Sequence, residues 1–276
     1  MRRALQVIAS VRRTSRCAID KRSEAARGGF KPWPGFQRLI RMRIAMGRAR
    51  LLHGALLVAA LAAWWISDHA ITPWVQEIAG YERIQDRDLS VLLGHWVFGQ
   101  LPRVLLCVGV WLVGTHLGLL PSLRQSLTSG GSWRRVVVSG LIAAAVLLVF
   151  TVVIGAAAGG RFGFHPYFTK MAGDLASNMY EELVYRGLMF CAFYGVVAGA
   201  SFPLGGKPSL AGVVAGTIGS SVVFAMGHEQ YGMALRVVIG VVSTGFAYPW
   251  VATRSLWAPW IAHMLVDVIG DSILRL

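Results

Sequence analysis

From residue 51 onward the chain alternates long apolar runs with short polar connectors. Runs at roughly 51–67, 101–120, 135–157, 175–198, 210–227, 232–252 and 256–275 approach the ~20 residues that a helix needs to cross the hydrocarbon core of a bilayer. A shorter amphipathic piece at 89–99 either lies in the interface or extends the second run. The pattern predicts an all-α fold, a polytopic transmembrane helical bundle of about seven spans preceded by a basic N-terminal tail.

The connectors orient that bundle. The stretch from Asp68 to Asp88 is acid-rich, whereas Arg124, Arg134 and Arg135 make the 121–135 loop basic. Positively charged loops stay in the cytoplasm, which puts the N-terminus and the 121–135 loop there, in agreement with Lys207 and Arg254. Seven spans then leave the C-terminus outside.

Composition excludes an ordinary soluble domain: 55% of the residues are hydrophobic and 14% charged, with a mean hydropathy of +0.56. The net charge of +14 suggests a nucleic-acid partner until it is placed along the chain. Residues 1–50 carry fourteen Lys and Arg against Asp20 and Glu24, so +12 of the charge lies there. The basicity belongs to a tail and not to a groove, and no nucleic-acid partner is expected. Arg38, Arg41, Arg43, Arg48 and Arg50 lead into the first apolar run, where anionic lipid head groups attract cations. Residues 1–50 thus form a basic cytoplasmic tail, disordered or in part an overextended start, with Met42 and Met46 as alternative initiators. The transmembrane domain is 51–276. An Arg-rich leader also resembles an organellar transit peptide, a reading ranked last.

Other features have bland explanations. Cys17, Cys107 and Cys191 are odd in number and lack CxxC spacing, which argues against a disulfide framework. Trp64, Trp65, Trp133, Trp250, Trp257 and Trp260 cluster near span ends, as in an interfacial aromatic belt. Gly212, Gly216 and Ser220 form a small-residue ridge along the fifth run, which lets two helix backbones approach closely and holds the residue at its end, His228, against a neighbour. No inverted repeat is visible.

Ionisable residues at membrane depth are costly and point to function. Glu182 and Arg186 are four apart and share a helical face, where they can pair. Glu181 points about 100° away with no such partner, so the spacing assigns Glu182 and Arg186 to structural support and leaves Glu181 as the free carboxylate, suited to a general base. His263 and Asp267 share one face of the last run, so the aspartate can orient the imidazole or bind the same ligand. His228 follows Phe224 by one turn, and the preceding Gly227 leaves room around its ring. Three helices each delivering a protonatable group are hard to explain by packing.

Glu181-Glu182-Leu-Val-Tyr-Arg186 matches an EExxxR motif, Phe224-Ala-Met-Gly-His228 an FxxxH motif, and His263-Met-Leu-Val-Asp267 an HxxxN/D motif. In order and spacing these resemble the CPBP intramembrane proteases, the group that includes the CAAX-processing endopeptidases, and Ser255-Leu-Trp-Ala-Pro259 looks like the family as well. The resemblance covers about 175–270. It implies peptide-bond hydrolysis inside the membrane by a glutamate-activated water, acting on a membrane protein or peptide substrate. Carried over by position, it implies that Glu181 and His228 hold and deprotonate the water, while His263 and Asp267 stabilise the oxyanion. Many relatives have Asn at the last position. An ionised Asp267 cannot donate to an oxyanion, so it is either protonated or accepts from His263 and makes that ring more cationic.

Two histidines and two carboxylates would also make an N2O2 set for zinc, and the sequence leaves both routes open, with no cofactor favoured. His228-Glu229 is not the start of HExxH, because Gly232 stands four after His228. Two rivals remain: a proton-coupled transporter, which needs a polar path through the whole membrane, and a non-catalytic scaffold or bacteriocin-immunity-like protein of the same fold, which would tolerate Glu181→Gln. The sequence carries no eukaryotic targeting signal, which makes a bacterial plasma (inner) membrane the simpler home.

Overall fold

The structure is a computed structural model and describes residues 34–78, 101–128, 132–157, 161–163, 168–204 and 206–275. The chain divides into two units, Met1–Ala45 and Met46–Leu276. Helix α1 (Pro34–Ile66) runs through a π-helical turn, Ser67–Ile71, into α2 (Thr72–Ile78). The chain continues with α3 (Leu101–His116), the short α4 (Leu123–Thr128) and α5 (Trp133–Ala157). Next come α6 (Phe168–Glu181), a π-helical stretch over Glu182–Met189 and α7 (Phe190–Ala198), which follow one another without a break. Three helices complete the fold: α8 (Leu210–Met226), α9 (Met233–Thr253) and α10 (Trp257–Ile273). Two-residue strands, β1 (Arg161–Phe162) and β2 (Leu274–Arg275), pair antiparallel.

Every apolar run expected from the sequence is helical. The run at 51–67 is the C-terminal part of a helix that begins at Pro34, so the part of the basic tail that carries Arg38 to Arg50 is helical. The piece expected at 89–99 and Cys17 lie outside the described residues. Among the described residues three helices, Arg38–Trp74, Trp133–Ala157 and Met233–Thr253, are long and apolar enough to cross a membrane. Leu101–His116 and Leu210–Met226 are apolar but shorter, and α6 with its π-helical continuation carries charged residues. Helix length therefore establishes a membrane-spanning all-α protein without establishing a count of seven.

The segment that bears the two glutamates is the centre of the domain: residues 184–192 are buried without exception. Around them pack Trp111 of α3, Phe202 of the connector after α7, Phe224 of α8 and Trp250 of α9. Apolar burial drives no association between helices that already lie in lipid, so close van der Waals packing must hold them. The small-residue ridge supplies it on α8. A Cβ on Gly212 would stand 2.6 Å from the Tyr194 ring, and one on Gly216 would stand 2.9 Å from the Phe190 ring, so α7 and α8 could not approach as they do with alanine there. Buried Ser220 continues the same line. A second cluster joins α5, α9 and α10 through Ala143, Leu147, Phe246, Ala262 and Val266.

Helix ends are set locally. Gly199 ends α7 in the left-handed region at φ +67°, the conformation in which glycine has no Cβ penalty. Ser209 caps α8 by accepting from the Gly212 amide at 3.3 Å. Asp68, taken from the sequence as part of an acid-rich connector, sits in the π-helical turn after α1 and pairs with Arg103 of α3 at 3.2 Å. Cys107 and Cys191 are buried free thiols.

Candidate active site

Four elements bring the polar residues together: the junction of α6 with the π-helical stretch, the end of α8, the middle of α9 and the middle of α10. His263 is the hub. Its Nδ1 lies 2.8 Å from Glu182 Oε1, and its Nε2 lies 3.7 Å from Glu181 Oε2 and 3.5 Å from Asp267 Oδ2. Two consecutive carboxylates therefore face opposite nitrogens of one imidazole. The helix widens to i→i+5 bonding at this point, a local change often found at functional sites.

Glu182 does more than the sequence assigned to it. It pairs with Arg186 as expected, Nε to Oε2 at 3.4 Å, and also accepts from His263. Glu182, Arg186 and His263 are almost completely buried, whereas the side chains of Glu181 and Asp267 keep 20% and 33% of their exposure. The buried carboxylate is thus a fixed counter-charge, and the other two line the accessible side. Glu181 accepts in addition from Ser177 Oγ one turn earlier, at 3.4 Å.

Arg186 is held by groups that sequence reasoning missed. Its Nη2 donates to the Ser243 hydroxyl at 2.7 Å and to the Ser243 carbonyl at 3.0 Å. Its guanidinium also lies over two rings, 4.8 Å from the centroid of Phe224 and 5.2 Å from that of Phe246. Phe246 stacks on His263 at 4.4 Å as well. Cation–π contact suits a desolvated guanidinium, and it compensates for Nη1, which has no hydrogen-bond partner among the described residues. Ser243 and Phe246 belong to an apolar helix, where a lone serine and phenylalanine look like ordinary packing residues.

His228 lies in the turn after α8. The Phe224 ring links it to the cluster: the phenyl centroid is 4.5 Å from the His228 ring and 5.6 Å from the His263 ring. Among the described residues no hydrogen bond joins His228 to Glu181; His263, Asp267 and Arg186 act on His228 at a distance. The imidazole Nδ1 is 2.8 Å from the Phe224 carbonyl. A carbonyl only accepts, so Nδ1 carries the hydrogen, and Nε2 of the neutral ring is a lone-pair acceptor. Burial pushes the pKa of His228 below its ordinary value, which favours that neutral form.

The expected residues Glu181, Glu182, Arg186, His263 and Asp267 therefore form one connected cluster, and His228 borders it. No group of three or more His, Cys, Asp or Glu among the described residues has the arrangement of a metal-binding set.

An all-α membrane fold with carboxylates and imidazoles gathered between its helices has the parts needed for water-activated hydrolysis. Residues 163–269 match the family described as Rce1-like, type II CAAX prenyl endopeptidase Rce1-like. That segment, which runs from just before α6 to most of α10, holds every side chain of the cluster, and its likeness is to the CPBP family of CAAX proteases. No curated protein and no solved structure matches the chain.

Proposed function

We propose that the protein is an intramembrane endopeptidase that cleaves a membrane protein or peptide with a water activated by Glu181 and His228. In this reading the water lies between the Glu181 carboxylate and Nε2 of His228. Glu181 takes one proton as the water oxygen adds to the scissile carbonyl carbon. His263 donates from Nε2 to the oxyanion, its other nitrogen donating to Glu182, and Asp267 flanks the same Nε2. Glu181 then delivers the proton to the amide nitrogen as the C–N bond breaks. Glu182 and Arg186 hold the cluster in place.

The observation that carries this reading is the approach of Glu181 Oε2 and Asp267 Oδ2 to one nitrogen of His263, at 3.7 and 3.5 Å, on the accessible side of an otherwise buried cluster. The family match supports the protease class. The finer parts of the proposal are seven spans with a cytoplasmic N-terminus, a bacterial inner membrane, a basic segment at residues 1–50 that meets anionic lipid, and a water activated by side chains without a resident metal.

The test is cleavage of a quenched fluorescent, membrane-proximal peptide by the purified protein in proteoliposomes. Glu181→Gln and His228→Ala should each remove activity while circular dichroism and the thermal transition stay unchanged, and His263→Ala should remove activity with its helical content retained but its thermal transition lowered, because Glu182 loses its buried partner. Wild-type turnover by Glu181→Gln removes it from the role of base. Comparing membrane proteomes of the wild type and the Glu181→Gln strain should then reveal the substrate as a precursor that accumulates.

A further inference from the structure

An imidazole outside a helix cannot rely on the helical ladder for its position, and His228 stands in the turn 227–232 between α8 and α9. Part of its support is local. The ring is bonded to Phe224, the His228 amide reaches the Ala225 carbonyl at 3.3 Å, and the Tyr231 amide reaches the His228 carbonyl at 3.1 Å. None of these bonds ties the turn to the helix that follows.

Arg236 does. It lies in the first turn of α9, its amide bonded to the Gly232 carbonyl at 3.1 Å. Its guanidinium reaches back over the turn: Nη2 donates to the Glu229 carbonyl at 2.6 Å and Nε to the Tyr231 carbonyl at 2.9 Å. Both carbonyls precede Met233, the first residue of α9, and stand outside its ladder. The planar fork of arginine fits two acceptors at a fixed spacing, and a charged donor bonds about twice as strongly as a neutral one. From the other side, Glu229 Oε1 meets His69 Nε2 of the π-helical turn after α1 at 3.4 Å. The turn is thus fastened at the two residues that flank Gln230.

We propose that Arg236 is the positioning residue for His228: by clamping the Glu229 and Tyr231 carbonyls it fixes the turn, and with it the place of Nε2 over the reacting water. The catalytic part of this inference rests on the hydrolase reading above; the clamp itself does not. A misplacement of about 1 Å is enough to cost on the order of 100-fold in rate, so the effect should fall on kcat.

Two measurements on the full chain in nanodiscs test it. In hydrogen exchange, Arg236→Ala should raise exchange of the 228–232 amides about tenfold, with α8 and the rest of α9 protected as in the wild type. On the fluorescent peptide the same variant should lose kcat by about 10- to 100-fold with KM within a factor of two. Methylguanidine should restore a share of that loss but nothing in Glu181→Gln. Arg236→Lys, which keeps the charge but not the fork, should fall between the two and covers the case in which the alanine variant fails to fold. Unchanged exchange at 228–232 in both variants overturns the clamp, whatever the activity. Raised exchange with full kcat overturns the role in positioning His228. Raised exchange in a protein whose wild type cleaves no peptide sinks the hydrolase reading and leaves the clamp standing.

Discussion

Glu182 and His263 are joined by a buried bond of 2.8 Å from Nδ1 to Oε1, while the adjacent Glu181 faces the other nitrogen of the same ring. The two glutamates should therefore fail differently. Glu181→Gln should lower kcat by about 100- to 10,000-fold, the range for losing a general base, with little change in thermal stability. Glu182→Gln should also destabilise the fold by about 3–5 kcal/mol, because it strips a buried counter-charge from Arg186 and His263. Denaturation and peptide cleavage measured on both variants separate the two, and equal stabilities would contradict the division.

The state of His228 can be read directly. Nitrogen NMR on histidine-labelled protein should find the ring neutral at pH 7 with its hydrogen on Nδ1. Its burial lowers the pKa from 6.5, so the neutral form persists above that lowered midpoint and is lost as the pH falls through it. Cleavage should decline on the acid side with the same midpoint. A hydrogen on Nε2 at neutral pH would remove the lone pair that the water needs.

Asp267 invites a comparison with the asparagine that the motif also allows. At 3.5 Å from His263 Nε2, an amide in its place adds a donor beside the oxyanion. Asp267→Asn should keep activity at or above wild type, and Asp267→Ala should lose about tenfold or more. If Asp267→Asn is as impaired as the alanine variant, the carboxylate charge itself is needed.

Metal removal is a further check. Cleavage should survive EDTA and phenanthroline, and added zinc should not increase it. Loss on chelation with recovery on zinc would replace the side-chain mechanism by a metal-bound water.

Ser243 should matter to stability before it matters to chemistry. Ser243→Ala removes the 2.7 Å bond to Arg186 Nη2 but leaves the backbone bond. A hydrogen bond to a charged group contributes about 1.5–3 kcal/mol, and a loss of that size should appear in thermal or chemical denaturation.

The sequence revealed the helical class and the cluster because both leave periodic marks. Apolar runs identify helices, and i,i+4 spacing of Glu182 with Arg186 and of His263 with Asp267 places each pair on one face. It did not reveal that Glu182 also holds His263. A helical wheel separates Glu181 from Glu182 by about 100°, and the π-helical stretch that lets both meet one ring depends on contacts between helices far apart in the chain. Ser243 and Phe246 escaped for a related reason: their work is defined by Arg186 and His263, which lie on other helices. Arg38 to Arg50 read as part of a basic tail because arginines mask helical continuity in a hydropathy pattern, although each is a good helix former.

The widened turn at 182–189 also makes the central helix intolerant of changes in length. Excising one residue there would tighten the wide turn toward ordinary α geometry and change the side chains that face inward between Glu182 and Met189, so that the acids and Phe190 could not all keep their contacts with His263 and with Gly216. Chains that keep this architecture must therefore preserve the residue count across that bend as strictly as the identity of its acids.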